Sequence, residues 1–204
     1  RAIGEKNEES IDKVGDSGLV FSLITAILSV VMLYIFKDAI VNALSPKNLS
    51  YETMSNAKKY LHFLIPGIGF LIIYQTLTGI LNGEGLMQFG ASAMFLSVII
   101  NIILDPILIF VFKLGIGGAA LATSISLLCS FLFIMLVFIN NKSRIKIKFK
   151  LSYVKLESIK EILRVGLPQS SNMILLSVSF MIINYCVGIL GEDKLNAWSL
   201  VGRM

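Results

Sequence analysis

Charge is what this 204-residue chain has least of where it matters. Residues 17–36, 60–83, 114–141 and 165–191 contain no Asp, Glu, Lys or Arg, and 85–112 contains only Asp105. Charged residues make up 15% of the chain, against about 25% in soluble domains. Runs of this length exclude an ordinary water-soluble domain, because each reaches the roughly 20 residues a helix needs to cross a bilayer. With 55% hydrophobic residues and a mean hydropathy of +0.80, the composition predicts an all-α integral membrane protein with five transmembrane helices. Their expected positions are about 17–36, 60–83, 87–112, 116–140 and 166–190.

Cysteine and histidine are also scarce. The two cysteines, Cys129 and Cys186, lie inside apolar runs and read as small packing residues, which excludes a disulfide framework. A single histidine leaves no metal-ligand cluster, and neither a phosphate-binding glycine loop nor a nucleophile–base pair is present, so no enzyme is expected. There is no cleavable leader pattern, since Arg1 opens a polar segment. The chain lacks an initiator Met and stops at Val201-Gly202-Arg203-Met204, where a further helix would begin. Both ends therefore read as cut, and a piece of a larger protein is expected.

What charge there is falls unevenly. Five spans place residues 1–16, the turn at Glu84 and residues 142–164 on one side, with 11 Lys and Arg. The opposite side carries Lys37, Lys47, Lys58, Lys59, Lys113 and Lys194. By the positive-inside rule, loops 1–16 and 142–164 are expected to be cytoplasmic. Lys146, Lys148 and Lys150 alternate with apolar residues, a pattern read as a loop on anionic lipid and not as a nucleic-acid-binding strand. The outward segment 37–59 reads as a loop broken at Ser45-Pro46, with a short approach helix from Ser50. Glu157–Val165 reads as a short amphipathic surface helix, followed by a turn at Gly166-Leu167-Pro168 into the last span.

Of 13 acidic residues, 12 are expected in loops or at span ends, and Asp105 alone lies deep. It sits about 10 Å from the middle of its span, within a hydrocarbon half-thickness of about 15 Å. Placing a carboxylate there costs roughly 2.5–3.5 kcal/mol on insertion scales, which calls for a partner or a wet cavity. In the segment NIILDPILIF, Asn101 and Asp105 are four residues apart and share a helix face, which Ser97 and Met94 extend. Pro106 has no N–H for the carbonyl of Ile102, leaving that oxygen available. Thr123 on the next span can add a hydroxyl. This is an oxygen-rich set suited to a hard cation or a proton, although a structural acid capping a broken helix is the plainer alternative. The second span adds Pro66 and a polar stripe of Tyr74, Gln75, Thr78 and Asn82. The small-residue pairs Gly118/Ala122 and Ala119/Thr123 predict close helix packing.

Four stretches, RAIGEKNEESID, LTGILNGEG, NIILDPILIFVFKLGIGGAALATSIS and RVGLPQSSN, resemble the multidrug and toxic compound extrusion (MATE) family of efflux transporters. NxxLDP followed by GIGGAALAT carries most of the specificity, and the resemblance covers essentially the whole chain. It implies a twelve-helix fold in two six-helix lobes, of which this chain is helices three to seven. Residues 1–141 would be most of the N-terminal lobe, 142–164 a basic cytoplasmic inter-lobe loop with an amphipathic helix, and 165–204 the start of the C-terminal lobe.

The resemblance assigns Asn101, Asp105 and Thr123 to a cation site for Na⁺ or H⁺, to which the residue pattern adds the Ile102 carbonyl. Met94, Ser97, Tyr74 and Gln75 are the expected lining of a substrate cavity, and Pro66 and Pro106 the expected hinges. A further carboxylate of such sites belongs to a helix preceding Arg1. An acid that some members carry on helix seven is missing, since residues 165–191 offer only Gln169, Asn172 and Asn184.

The function implied is cation-coupled antiport in the cell (inner) membrane, exporting amphiphilic, often cationic drugs by alternating access. The expected partners are small-molecule drugs and lipid, without nucleic acid, and the full-length protein is expected to be monomeric. No cofactor beyond the coupling ion is implied. The rivals are a lipid-linked oligosaccharide flippase of the same superfamily and, more remotely, a membrane-embedded hydrolase using Asp105.

Overall fold

The computed structural model describes residues 8–44, 51–145, 156–189 and 198. Among them every regular element is helical: α1 (Glu8–Leu44), α2 (Tyr51–Gly83), α3 (Met87–Pro106) running on into a π-helical turn (Ile107–Val111), α4 (Ile116–Ile139) and α5 (Leu156–Ile189). All five helices are long and apolar enough to cross a membrane. This is the architecture expected of a chain that must satisfy its backbone hydrogen bonds within each segment. The chain divides into two compact units, residues 1–158 and 159–204.

In the first unit α4 packs along both α2 and α3, and α1 packs on α2. The centre is Leu77, Leu81, Ala93 and Ile134, with no exposed surface, joined by Leu19, Tyr74 and Val137. Close approach is set by small residues, as the spacing predicted. A Cβ on Gly118 would lie 2.8 Å from the Leu108 carbonyl, and one on Gly67 would lie 2.8 Å from the Ser124 Cα. Serines on α4 tie the helices together: Ser130 donates to the Ala93 carbonyl of α3 at 2.8 Å, and Ser124 to the Phe63 carbonyl of α2 at 2.6 Å.

Both α2 and α4 end in a Schellman turn, the second with asparagine in the left-handed position usually held by glycine. After α2, Gly85 has φ 81°, Gly85 N–H bonds Asn82 and Leu86 N–H bonds Leu81. After α4, Asn141 has φ 53°, Asn141 N–H bonds Phe138 and Lys142 N–H bonds Val137. Glu84 joins these two ends. Its carboxylate accepts from the Ser143 hydroxyl (2.9 Å) and from the main-chain N–H groups of Arg144 (3.2 Å) and Ile145 (3.0 Å).

Two expectations need correction. The outward segment 37–59 is mostly helix, since α1 continues to Leu44 and α2 starts at Tyr51. These extensions hold each other through the Lys58–Asp38 ion pair at 3.2 Å. Residues 157–165 are not a separate surface helix followed by a turn, because α5 runs unbroken through Gly166 and Pro168. One lost N–H at Pro168 does not end a helix whose neighbouring turns remain bonded. Asp16, at the start of the first span, is 1% exposed, on the α1 face that carries Leu19.

The Ser45-Pro46 break, residues 1–7, the lysines at 146, 148 and 150, and Val201–Met204 lie outside the described residues.

Candidate functional site

Residues near the C-terminal end of α3 meet the N-terminal half of α4. The Asn101 side-chain amide donates to Asp105 Oδ1 at 3.5 Å and to Thr123 Oγ1 at 3.3 Å. Thr123 in turn donates to the Ala119 carbonyl at 3.0 Å, one turn back on its own helix. The separations of 3.3 and 3.5 Å mark weak, easily exchanged bonds. All three side chains are half-buried, so the set is accessible from one side.

The chain path explains the convergence. Asn101 and Asp105 share a face of α3, and Gly118 lets α4 press against the backbone just beyond them. At Pro106 the hydrogen-bond ladder loses a donor. The next N–H, of Ile107, goes to Leu104, so the Ile102 carbonyl receives neither. The ladder resumes with a wider period, in which Phe112 N–H bonds Ile107 at 3.0 Å. Pro106 therefore converts the helix to a π turn and does not stop it, a feature frequent at functional sites.

Chemically the site offers one carboxylate, one amide, one hydroxyl and one main-chain carbonyl. Among the described residues no group of three His, Cys, Asp or Glu side chains could chelate a transition metal. A hard monovalent cation or a proton suits a set of oxygens with a single negative charge.

Beside this site lies an open cleft of about 430 Å³ between α2, α3 and α4. Tyr74, Gln75, Met94 and Ser97 all line it, so the four expected cavity residues are brought together. Ser97 is one turn from Asn101, and Leu127, also in the wall, one turn from Thr123, so cleft and polar site are continuous along two helices. Thr78 and Asn82 from the polar stripe also line it, and among the described residues no charged side chain does.

Roles within the cleft differ. Tyr74 is buried, and its hydroxyl donates to the Gly90 carbonyl at 3.4 Å, so it packs α2 on α3 as well as lining the wall. Met94 is 66% exposed and free to meet a ligand. Thr78 Oγ1 is buried without a hydrogen-bond partner, and a Cβ on Gly90 would lie 2.5 Å from its methyl group.

Pro66 lies inside an unbroken α2. Its missing N–H leaves the His62 carbonyl, which accepts instead from the Tyr34 hydroxyl of α1 at 3.1 Å. Neither Tyr34 nor Ser124 stands out in the sequence, because a hydroxyl that repairs a neighbouring helix leaves no periodic mark. Gln169, Asn172 and Asn184 belong to α5 of the second unit.

Five helices long and apolar enough to cross a membrane, one of them with a π turn beside a carboxylate and a polar cleft, define a multi-pass membrane protein. The MatE family model matches residues 1–107, and the chain belongs to that family. It is 26% identical over 204 residues to the multidrug export protein MepA of Staphylococcus aureus, covering 100% of this chain and 45% of that protein. It is 32% identical over 212 residues to the probable multidrug resistance protein YoeA of Bacillus subtilis, again covering 100% and 45%. The chain thus spans 45% of the length of these curated relatives.

Among solved structures, an outward-facing multidrug resistance MATE transporter aligns with a TM-score of 0.85 at 29% identity, over 100% of this chain and 45% of that one. A MOP superfamily transporter from Pyrococcus furiosus, described as having a binding pocket of reversed polarity, aligns with a TM-score of 0.86 at 30% identity, over 100% and 45%.

Proposed function

We propose that this chain is part of a cation-coupled multidrug exporter, an antiporter that works by alternating access. The observation that carries the reading is the meeting of Asn101, Asp105 and Thr123 across α3 and α4, one turn from a cleft with no charged wall residue among the described residues. A carboxylate at membrane depth needs a counter-charge, and Na⁺ or H⁺ arriving at Asp105 supplies it. Neutralising Asp105 weakens its claim on the Asn101 amide, so the α3–α4 contact differs between the two states. A ligand that prefers one arrangement then shifts the equilibrium by its difference in affinity.

The cleft favours an amphiphile. Met94, Leu71 and Leu127 offer apolar surface, while Gln75, Thr78 and Asn82 offer neutral hydrogen-bonding groups. A lipid-linked oligosaccharide would call for a more strongly charged wall. The relatives' names, an export protein and a resistance protein, point the same way. A hydrolytic role for Asp105 finds no second acid or base at its depth among the described residues of α3 and α4.

Residues 1–141 form most of one lobe in this reading and α5 opens the next. The protein lies in the cell membrane as a monomer, with residues 1–16 and 142–164 on the cytoplasmic side. Pro66 and Pro106 are the bending points.

The test uses the full-length protein in proteoliposomes, loaded with ethidium and subjected to an imposed Na⁺ or H⁺ gradient. Ethidium movement should follow one of the two gradients. Movement indifferent to both contradicts cation coupling.

A further inference from the structure

The polar site on α3 and the turn before Pro66 in α2 meet α4 at adjacent residues. Thr123 accepts from Asn101 at 3.3 Å, while Ser124 donates to the Phe63 carbonyl at 2.6 Å and reaches the Leu64 carbonyl at 3.4 Å. Successive residues of a helix point about 100° apart, so α4 shows this pair to two different neighbours. Ser124 cannot move independently of α2. It is 6% exposed, and the Gly67 backbone is so near that a Cβ there would sit 2.7 Å from the Ser124 hydroxyl.

On α2 the turn before Pro66 is held from outside. The His62 carbonyl takes a hydrogen bond from Tyr34 of α1, and the Phe63 carbonyl takes one from Ser124 of α4. Side-chain hydroxyls hold this turn in a way that a rotamer change can undo, unlike the helix ladder itself. Beyond it, α2 carries Tyr74, Gln75 and Thr78 into the cleft.

We propose that Ser124 is a positioning residue that couples the Asp105 site to the cleft by way of the Pro66 turn. Rearranging the Asn101–Thr123 contact shifts α4. Ser124 moves with Thr123, and the turn from His62 to Pro66 changes its bend. The cleft-lining half of α2 then moves relative to α3. Packed helices convert such small shifts into discrete rearrangements, because their interfaces do not deform continuously. This inference rests on the cation-coupled export reading.

The experiment measures ethidium Kd by fluorescence in nanodiscs of the full-length protein. Na⁺ is added at fixed pH, and separately the pH is stepped at fixed Na⁺. The readout is the factor by which the effective cation weakens ethidium binding, typically about 5–150-fold for coupled sites. Ser124→Ala is expected to cut this factor at least threefold while leaving the cation-free Kd within twofold. Tyr34→Phe, on a different helix, is expected to act in the same direction, and it carries the test should Ser124→Ala fold poorly. Ser126→Ala removes another buried hydroxyl, one bonded to the Thr123 carbonyl on its own helix, and should leave the factor unchanged.

A folded Ser124→Ala protein with the wild-type factor overturns the inference. So does a Ser126→Ala protein that loses as much. If the wild type shows no cation effect, or Asp105→Asn keeps it, the export reading itself fails and takes this inference with it.

Discussion

The hydroxyl of Tyr34 on α1 donates to the main-chain carbonyl of His62 on α2, at 3.1 Å. That carbonyl is the one Pro66 leaves without its intrahelical N–H. Beside it Ser124 bonds the Phe63 carbonyl, so a proline in mid-helix is carried by two neighbouring helices. The repair keeps α2 continuous while leaving it easier to bend there than elsewhere.

Replacing Pro66 with Ala restores the N–H and should stiffen this turn. Proline inside a helix costs about 3 kcal/mol in water, and less where neighbours compensate. The Pro66→Ala protein should therefore unfold at a higher temperature and export ethidium several-fold more slowly. Paired thermal-shift and efflux assays measure both effects.

Glu84 was legible only as part of a tight turn, because its partners lie about 60 residues away. Glu84→Ala strips the acceptor from the Ser143 hydroxyl and from the Arg144 and Ile145 N–H groups. An unpaired buried group costs about 1–3 kcal/mol, and the loss here sits at the lower end because Arg144 is exposed and Ile145 N–H keeps the Ser143 hydroxyl at 3.1 Å. Hydrogen–deuterium exchange in peptides containing Arg144 and Ile145 should accelerate several-fold, with the core of α4 unaffected.

Close helix approach can be tested with glycines of matched chemistry. Gly67→Ala and Gly118→Ala would each force a Cβ to about 2.8 Å from backbone on a neighbouring segment, whereas a Cβ on Gly79 meets nothing within 4 Å. Overpacking typically costs about 1–3 kcal/mol. The first two variants should lose thermal stability in detergent, and Gly79→Ala should match the wild type.

These cases show what the sequence could and could not reveal. Four charge-free runs and a fifth with one acid announced five helices because a bilayer tolerates little else, and the Asn101–Asp105 spacing placed two polar groups on one face. The ends at Glu84, Lys113 and Lys142 fell where charge suggested, but those around residues 37–59 and 157–168 were misjudged. Lys58 and Asp38 pair between helices that continue past the apolar run, and α5 continues through Pro168. Asp16, next to the first apolar run, read as a boundary residue and is buried. Thr123 was foreseeable from its small-residue helix and from the family pattern. Ser124 was not, because its partner is a main-chain carbonyl of another helix about 60 residues earlier, beside the one that Pro66 leaves free.

Met94 presents its thioether to the cleft and is well exposed. Met94→Ala should weaken ethidium binding about three- to tenfold, the scale of a few lost methylene contacts. The cation dependence should be unaltered, since Met94 lies two turns from Asn101. Binding isotherms with and without Na⁺ separate the two effects.

The most direct test of the account is Asp105→Asn, which keeps the shape of the side chain and removes its charge. Ethidium efflux from proteoliposomes of the full-length protein is followed under an imposed Na⁺ or H⁺ gradient. Membrane insertion and cation-free ethidium binding should be retained, while gradient-driven efflux falls to the level of protein-free vesicles. Efflux at the wild-type rate, still following the cation gradient, would contradict the assignment of Asp105 as the coupling carboxylate.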